Sequence, residues 1–277
     1  MTEQLLKRIF NATPIRLSGG YTNETFLLEG TEPQMVAKVV NTFNEDLHNE
    51  ISSLKILDGS GISPKILDVV ETDAIQIILM DYREGFNGQS LLDNKKIERT
   101  KELYKYMGDT LAKVIHSRKY DNDPKGVREC NLQKLDLKLD FVPDDLIQQS
   151  KEILSSIEDQ KSNWVLTHGD FGIHNVLFTE NSKITVLDWE WAEWANPLTD
   201  IGWVCWFTRL HYPEYADELL PLFMETFNTM HFSPDEMKAY CVYRVWKVLY
   251  RVQNAPLEAK KEWVRRLKWT LETELWK

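Results

Sequence analysis

The chain has 277 residues, 43% of them hydrophobic and 27% charged, with a net charge of −10. That length suits one large domain or two lobes around a cleft, and the composition is that of an ordinary water-soluble protein. The acidic balance argues against nucleic acid and anionic membranes as partners and is compatible with cationic small molecules.

Cys130, Cys205 and Cys241 are odd in number and widely spaced, so no disulfide framework is expected and a reducing, cytoplasmic setting is. The opening MTEQLLKRIF has no signal-peptide core, and no apolar run approaches the ~18 residues of a membrane span. No internal repeat is evident.

The first 80 residues predict a small β-rich lobe. Ile15 to Gly30 reads as strand, glycine turn, strand, and Gln34 to Val40 as a third strand. Asn44 is placed to cap a helix whose Leu47, Ile51, Leu54 and Leu57 share one face, with Gly59 ending it. Two further strands are expected between Ser63 and Met80. Residues 81–88, DYREGFNG, are short and polar and suit a hinge. Residues 89–277 then read as mainly helical, with helices over 97–118, 145–160, 215–230, 234–253 and 257–275. Among them lie short strands, Trp164 to Thr167 and a hairpin of Val176 to Phe178 with Ile184 to Asp188.

The polar segment THGDFGIHNVLF, Thr167 to Phe178, sits between these strands, and the hairpin returns Asp188 close to it. Three readings compete. Asp170, Asn175 and Asp188 can be turn and capping residues, the default for any one alone. His168, His174 and Asp170 can be a zinc site, but the two histidines are six apart, off the i, i+4 helical spacing, and no cysteine is near. The third uses all of them. Phosphoryl transfer needs an aspartate beside the acceptor hydroxyl and oxygen ligands for magnesium, and Asp170 and Asn175 have the five-residue spacing of a kinase catalytic loop.

HGDFGIHNVLF followed by VLDWEWAEWANPLTDIGW resembles the aminoglycoside phosphotransferase and choline kinase family, through most of the chain and most strongly from Trp164 to Trp206. The resemblance implies an α+β, two-lobed protein-kinase-like fold, with a small antiparallel-sheet N-lobe (1–80) for nucleotide, a hinge (81–88) and a mainly helical catalytic C-lobe (89–277). It implies Asp170 as catalytic aspartate and Asn175 and Asp188 as magnesium ligands. It makes His168 and Asp200 supports of the loop, and gives His174 no assignable role. Gly19 and Gly20, with Asn23 after them, would form the turn over the phosphates. Lys38 would contact the α- and β-phosphates, paired with Glu50 or, second, Glu45. Backbone at Met80, Asp81 and Tyr82 would meet the purine of ATP or GTP.

Pro197 to Asp200 follows Asp188 too closely for the activation segment of a protein kinase, so the expected acceptor is a hydroxyl of a small molecule. Trp189, Glu190 and Glu193 are candidates to hold a cationic acceptor, by π faces and carboxylate charge. The tryptophans of the 200–207 helix are expected in the core. Two other functions compete with transfer: a catalytically silent nucleotide-binding regulator or immunity protein of the same fold, and a metal-dependent hydrolase.

Overall fold

A computed structural model describes residues 2–17, 24–40, 44–72 and 75–276. Strands β1 (Thr13–Arg16), β2 (Glu24–Glu29), β3 (Met35–Val40), β4 (Ile66–Glu71) and β5 (Gln76–Asp81) form an antiparallel sheet in the order β1-β2-β3-β5-β4. Alternation along β3 and β5 sorts side chains to two faces. Ala37, Val39, Ile77 and Leu79 pack with Phe26 and Leu28 in one cluster, and Val40, Ile78 and Met80 join the large core. Lys38 shares the second face, which looks toward helix α2 and the rest of the molecule.

Two helices belong to this sheet. α1 (Thr2–Phe10) was not expected from the sequence; it is short, and Leu6 is the residue it buries, against the outer face. α2 (Glu45–Ile56) begins at Asn44, whose side chain accepts the Asp46 N–H at 2.8 Å. That cap satisfies one of the free amides of the first turn. Leu47 and Leu54, with Leu57 just past its end, face inward at the spacing read from the sequence.

The rest is mainly helical: β6 (Phe86–Asn87), α3 (Gly88–Asp93), α4 (Ile97–Thr110), β7 (Arg128–Glu129), α5 (Asp144–Ser155), β8 (Val165–Thr167), β9 (Val176–Phe178), β10 (Ile184–Val186), β11 (Glu193–Ala195), α6 (Leu198–His211), α7 (Pro213–Met224), α8 (Pro234–Arg251) and α9 (Leu257–Glu272). The helix expected over 97–118 changes to a π-helical turn at Leu111–Ile115. The 145–160 helix stops at Ser155. Strands β6, β7 and β11 were too short to leave a period-2 signature. They matter nonetheless, because β10-β9-β6 and β7-β11-β8 are the two small sheets that frame the polar segment. Among the described residues no helix is long and apolar enough to cross a membrane.

Candidate active site

The polar segment leaves β8 at Thr167 and enters β9 at Val176. Two glycine-dependent features set its path. Gly169 has φ +75°, and a Cβ there would lie 2.1 Å from the Trp191 carbonyl oxygen, so no side chain fits. Asp200, fully buried in the first turn of α6, accepts the N–H groups of His168 and Gly169, each at 2.8 Å, and faces His116 Nε2 at 3.1 Å. A charged acceptor thus satisfies two buried amides that no strand partner reaches.

His168 is sealed in the loop. Its Nδ1 accepts the Asp170 N–H at 3.2 Å, so Nε2, 2.8 Å from the Leu187 carbonyl, carries the proton and donates. Burial lowers its pKa, against the opposing pull of Asp200. Both ring nitrogens are therefore engaged, and the zinc set of His168, His174 and Asp170 is not assembled.

The Asp170 carboxylate is held from three sides. Trp203 Nε1 donates to Oδ1 at 2.8 Å; Asn175 Nδ2 donates to Oδ2 at 3.2 Å; His174 Nε2 lies 3.5 Å from Oδ2. Burial alone would raise this carboxyl, but the His174 bond and the charges of His174, Arg244 and His168 outweigh it and hold it well below the usual carboxylate range. Asp170 is an acceptor-only group at neutral pH, with a quarter of its side chain exposed. Asn175 has its amide nitrogen on Asp170, which leaves Oδ1 as the atom it can offer a cation.

Across the cleft, Lys38 Nζ meets Glu50 at 2.6 Å, Glu190 at 2.8 Å and Asp188 at 3.0 Å. Burial opposes its charge, yet the three carboxylates win and its pKa is raised. Glu50 is pushed up to about 7 by burial, with Lys38 opposing and Asp188 and Glu190 adding to the rise. Asp188 follows β10 with φ 63°, a left-handed backbone rare outside glycine, asparagine and aspartate, and 43% of its side chain is exposed. Glu50, Asp188 and Glu190 bring one oxygen each within 4.8 Å of one another. More negative than positive charge converges there, and all the donors are hard oxygens, which fits magnesium at Asp188 and Asn175. Leu187 N–H donates to the Asn175 carbonyl at 2.8 Å, tying the two ligand positions together.

The profile of the phosphotransferase enzyme family matches residues 13–240. The chain belongs to that family. The fold of this chain is shared with solved structures at low identity. A thermostable aminoglycoside phosphotransferase APH(4)-Ia, in a ternary complex with AMP-PNP and hygromycin B, superposes with a TM-score of 0.74 at 18% identity, covering 98% of this chain and 97% of that one. The choline kinase LicA from Streptococcus pneumoniae gives 0.69 at 14%, with 98% of each chain covered. Spectinomycin phosphotransferase APH(9)-Ia, with ADP and spectinomycin, gives 0.67 at 15%, covering 99% and 94%. A curated relative, acyl-CoA dehydrogenase family member 11 of Mus musculus, is 25% identical over 214 residues. That match takes in 69% of this chain and 27% of the mouse protein, so the chain spans about a quarter of its relative's length.

Several expected site residues sit elsewhere than the sequence suggests. Trp189 is fully buried, 4.5 Å from the His168 ring, with Nε1 on the Val186 carbonyl. Glu193 is fully buried and pairs with Lys247 at 2.5 Å. Glu190 faces Lys38, with Arg251 at 3.6 Å. All three are buried, Trp189 and Glu190 in the tight 189–191 turn and Glu193 in β11. At the hinge Met80 is in the core, and the amides of Asp81 and Tyr82 donate to Lys65 and Gln34 at 3.0 Å each. The amides of Asp81 and Tyr82 are thus held by main-chain partners. Gly19 and Gly20 lie outside the described residues, as does the side chain of Glu45.

Other contributors left no mark in the sequence. Trp203 is a core residue, stacked on Trp206 at 4.3 Å, and also orients Asp170. Asn49 is 1% exposed. Its Nδ2 donates to the carbonyls of Glu190 and Ala192, and its Oδ1 accepts the Arg128 N–H. His174 stacks on Phe207 at 4.5 Å and so gains the role the sequence left open, a prop for Asp170.

Proposed function

We propose that this chain is a magnesium-dependent phosphotransferase that moves the γ-phosphoryl group of ATP, with GTP as the alternative donor, to a hydroxyl of a small molecule. One observation carries the reading: Lys38 is locked between Glu50 and Asp188, opposite a loop that fixes Asp170 and Asn175. Residues 1–80 serve as the nucleotide lobe, 81–88 as hinge and 89–277 as the catalytic lobe.

Lys38 contacts the donor phosphates. Asn175 Oδ1 and the Asp188 carboxylate hold magnesium, which supplies positive charge to the phosphate oxygens. Asp170 receives the acceptor hydroxyl in a hydrogen bond. The hydroxyl oxygen bonds to the γ-phosphorus, the bond from that phosphorus to the bridging oxygen of ADP breaks, and the hydroxyl proton passes to Asp170 and on to solvent. Held low, the Asp170 carboxylate is a weak base. Its part is chiefly to orient the nucleophile, as loose phosphoryl transfer requires. That the relatives of known structure bind nucleotides and hydroxyl-bearing small molecules supports the reading.

The test is ADP release with ATP or GTP and magnesium across a panel of sugars, amino alcohols, aminoglycosides and hydroxy acids. The expected result is acceptor-dependent ADP release that D170N abolishes while nucleotide binding persists. Nucleotide binding with no release for any acceptor would identify a silent member of the family instead.

A further inference from the structure

Arg244, on α8, is 1% exposed, and its guanidinium lies 3.9 Å over the Trp191 ring and 5.4 Å over that of Trp203. Nε and Nη1 are sealed and have no hydrogen-bond partner. Among the described residues no carboxylate forms an ion pair with Arg244, and Nη2 is neither sealed nor hydrogen-bonded. Lys247 and Arg251, one and two turns on, share this helix face and also lie over Trp191, but each is paired, with Glu193 at 2.5 Å and Asp46 at 2.7 Å. A buried guanidinium with unpaired N–H groups is unfavourable, and aromatic faces recover only part of the lost hydration.

Its position is specific. Trp203, one of the two indoles that flank Arg244, donates to Asp170, and the main chain of the other, Trp191, lies against Gly169, the residue before that aspartate. The charge of Arg244 reaches Asp170 and helps to keep it ionised. Arg244 thus brings one open, unpaired donor, Nη2, beside two sealed ones, while Glu190 and Glu193 face cations of the protein.

We propose that the acceptor is a hydroxylated anion whose hydroxyl faces Asp170 and whose carboxylate or phosphate group pairs with Arg244. The inference rests on the phosphotransfer reading above. The unpaired guanidinium charge, reached through Nη2, suits either anion, and a cationic acceptor would meet like charge instead.

Calorimetric titration of the enzyme saturated with AMP-PNP and magnesium tests it with matched probes: glycerate and 6-hydroxyhexanoate as carboxylates, glycerol 3-phosphate as phosphate, glycerol and hexane-1,6-diol as neutral forms, serinol and 6-aminohexanol as cations. The expected result is that at least one anion binds, and is phosphorylated with ATP, about tenfold or more tightly than its neutral and cationic counterparts. Which anion binds separates carboxylate from phosphate recognition. R244Q should remove that preference with AMP-PNP affinity unchanged, and R244K, which keeps charge without the guanidinium, should weaken it several-fold. The proposal is overturned if no anion binds better than its counterparts, or if the preference survives in R244Q. Failure of AMP-PNP itself to bind would strike the phosphotransfer reading, and is seen separately in the first titration.

Discussion

At the scale of single residues, the energetics centre on Lys38. One ammonium faces three carboxylates, two of them in the core. K38M removes the cation that lies 2.6 Å from the buried Glu50 and 2.8 Å from the buried Glu190, and the expected loss is about 3–5 kcal/mol in urea unfolding. E50Q should be far milder, because Glu50 already sits near the point where burial favours its neutral form. Equal losses in the two variants would contradict this asymmetry. His168 gives a pH signature. Its folded pKa lies below the unfolded value of about 6.5. The unfolded chain therefore takes up the proton first. The stability contribution is fully present above the unfolded value and is lost as pH falls through it toward the folded one. The slope approaches about 1.4 kcal/mol per pH unit for one proton. H168Q, whose amide can accept from Asp170 N–H and donate to Leu187, should show a shallower fall of Tm between neutral pH and pH 5.5. Parallel curves would show that another group titrates there.

At the scale of elements, α6 is what shapes the polar loop after β8, through Asp200. D200A would leave the His168 and Gly169 amides without acceptors inside the protein. At about 1–3 kcal/mol for each unsatisfied buried donor, the loss should rival the removal of a large core side chain. Proton exchange of those two amides should accelerate more than that of β8. The long helices were legible because they are long. Apolar residues at i, i+3 and i+4 repeat enough times to be read, and Asn44 marks its own cap. Asp170, Asn175 and Asp188 were legible as a set because one loop and one hairpin fix their spacing. Arg244, Trp203, Asn49 and His116 were not, since they reach the site from α8, α6, α2 and the turn after α4. In a linear chain each looks like an ordinary core or surface residue. The acceptor wall was misread for a related reason. A Trp-Glu-Trp run shows its composition but not which way a tight turn points each side chain.

At the scale of the whole molecule, nucleotide should act as a clamp across the cleft, since its contacts would come from both sheet and loop. Saturating ATP or GTP with magnesium should raise Tm, and the stabilisation free energy should grow with concentration to about 2.7 kcal/mol at a hundredfold excess over Kd. D188N should blunt the magnesium-dependent part of that shift, and D170N should leave it near wild type. A shift as large without magnesium would argue against Asp188 as a metal ligand.

The anchoring of α2 sets how such closure can occur. In many two-lobed enzymes the corresponding helix swings outward to switch the site off. Here Asn49 grips two carbonyls of the 190–192 turn and the Arg128 amide, while Asp46 carries Arg128 and Arg251 from the other lobe. Unfastening α2 would expose several buried polar groups at once, so the helix travels with the catalytic lobe as a fixed pivot. Lys38 meets Glu50 of this helix at 2.6 Å, so an outward swing of α2 would have to break that pair together with the contacts of Asn49 and Asp46.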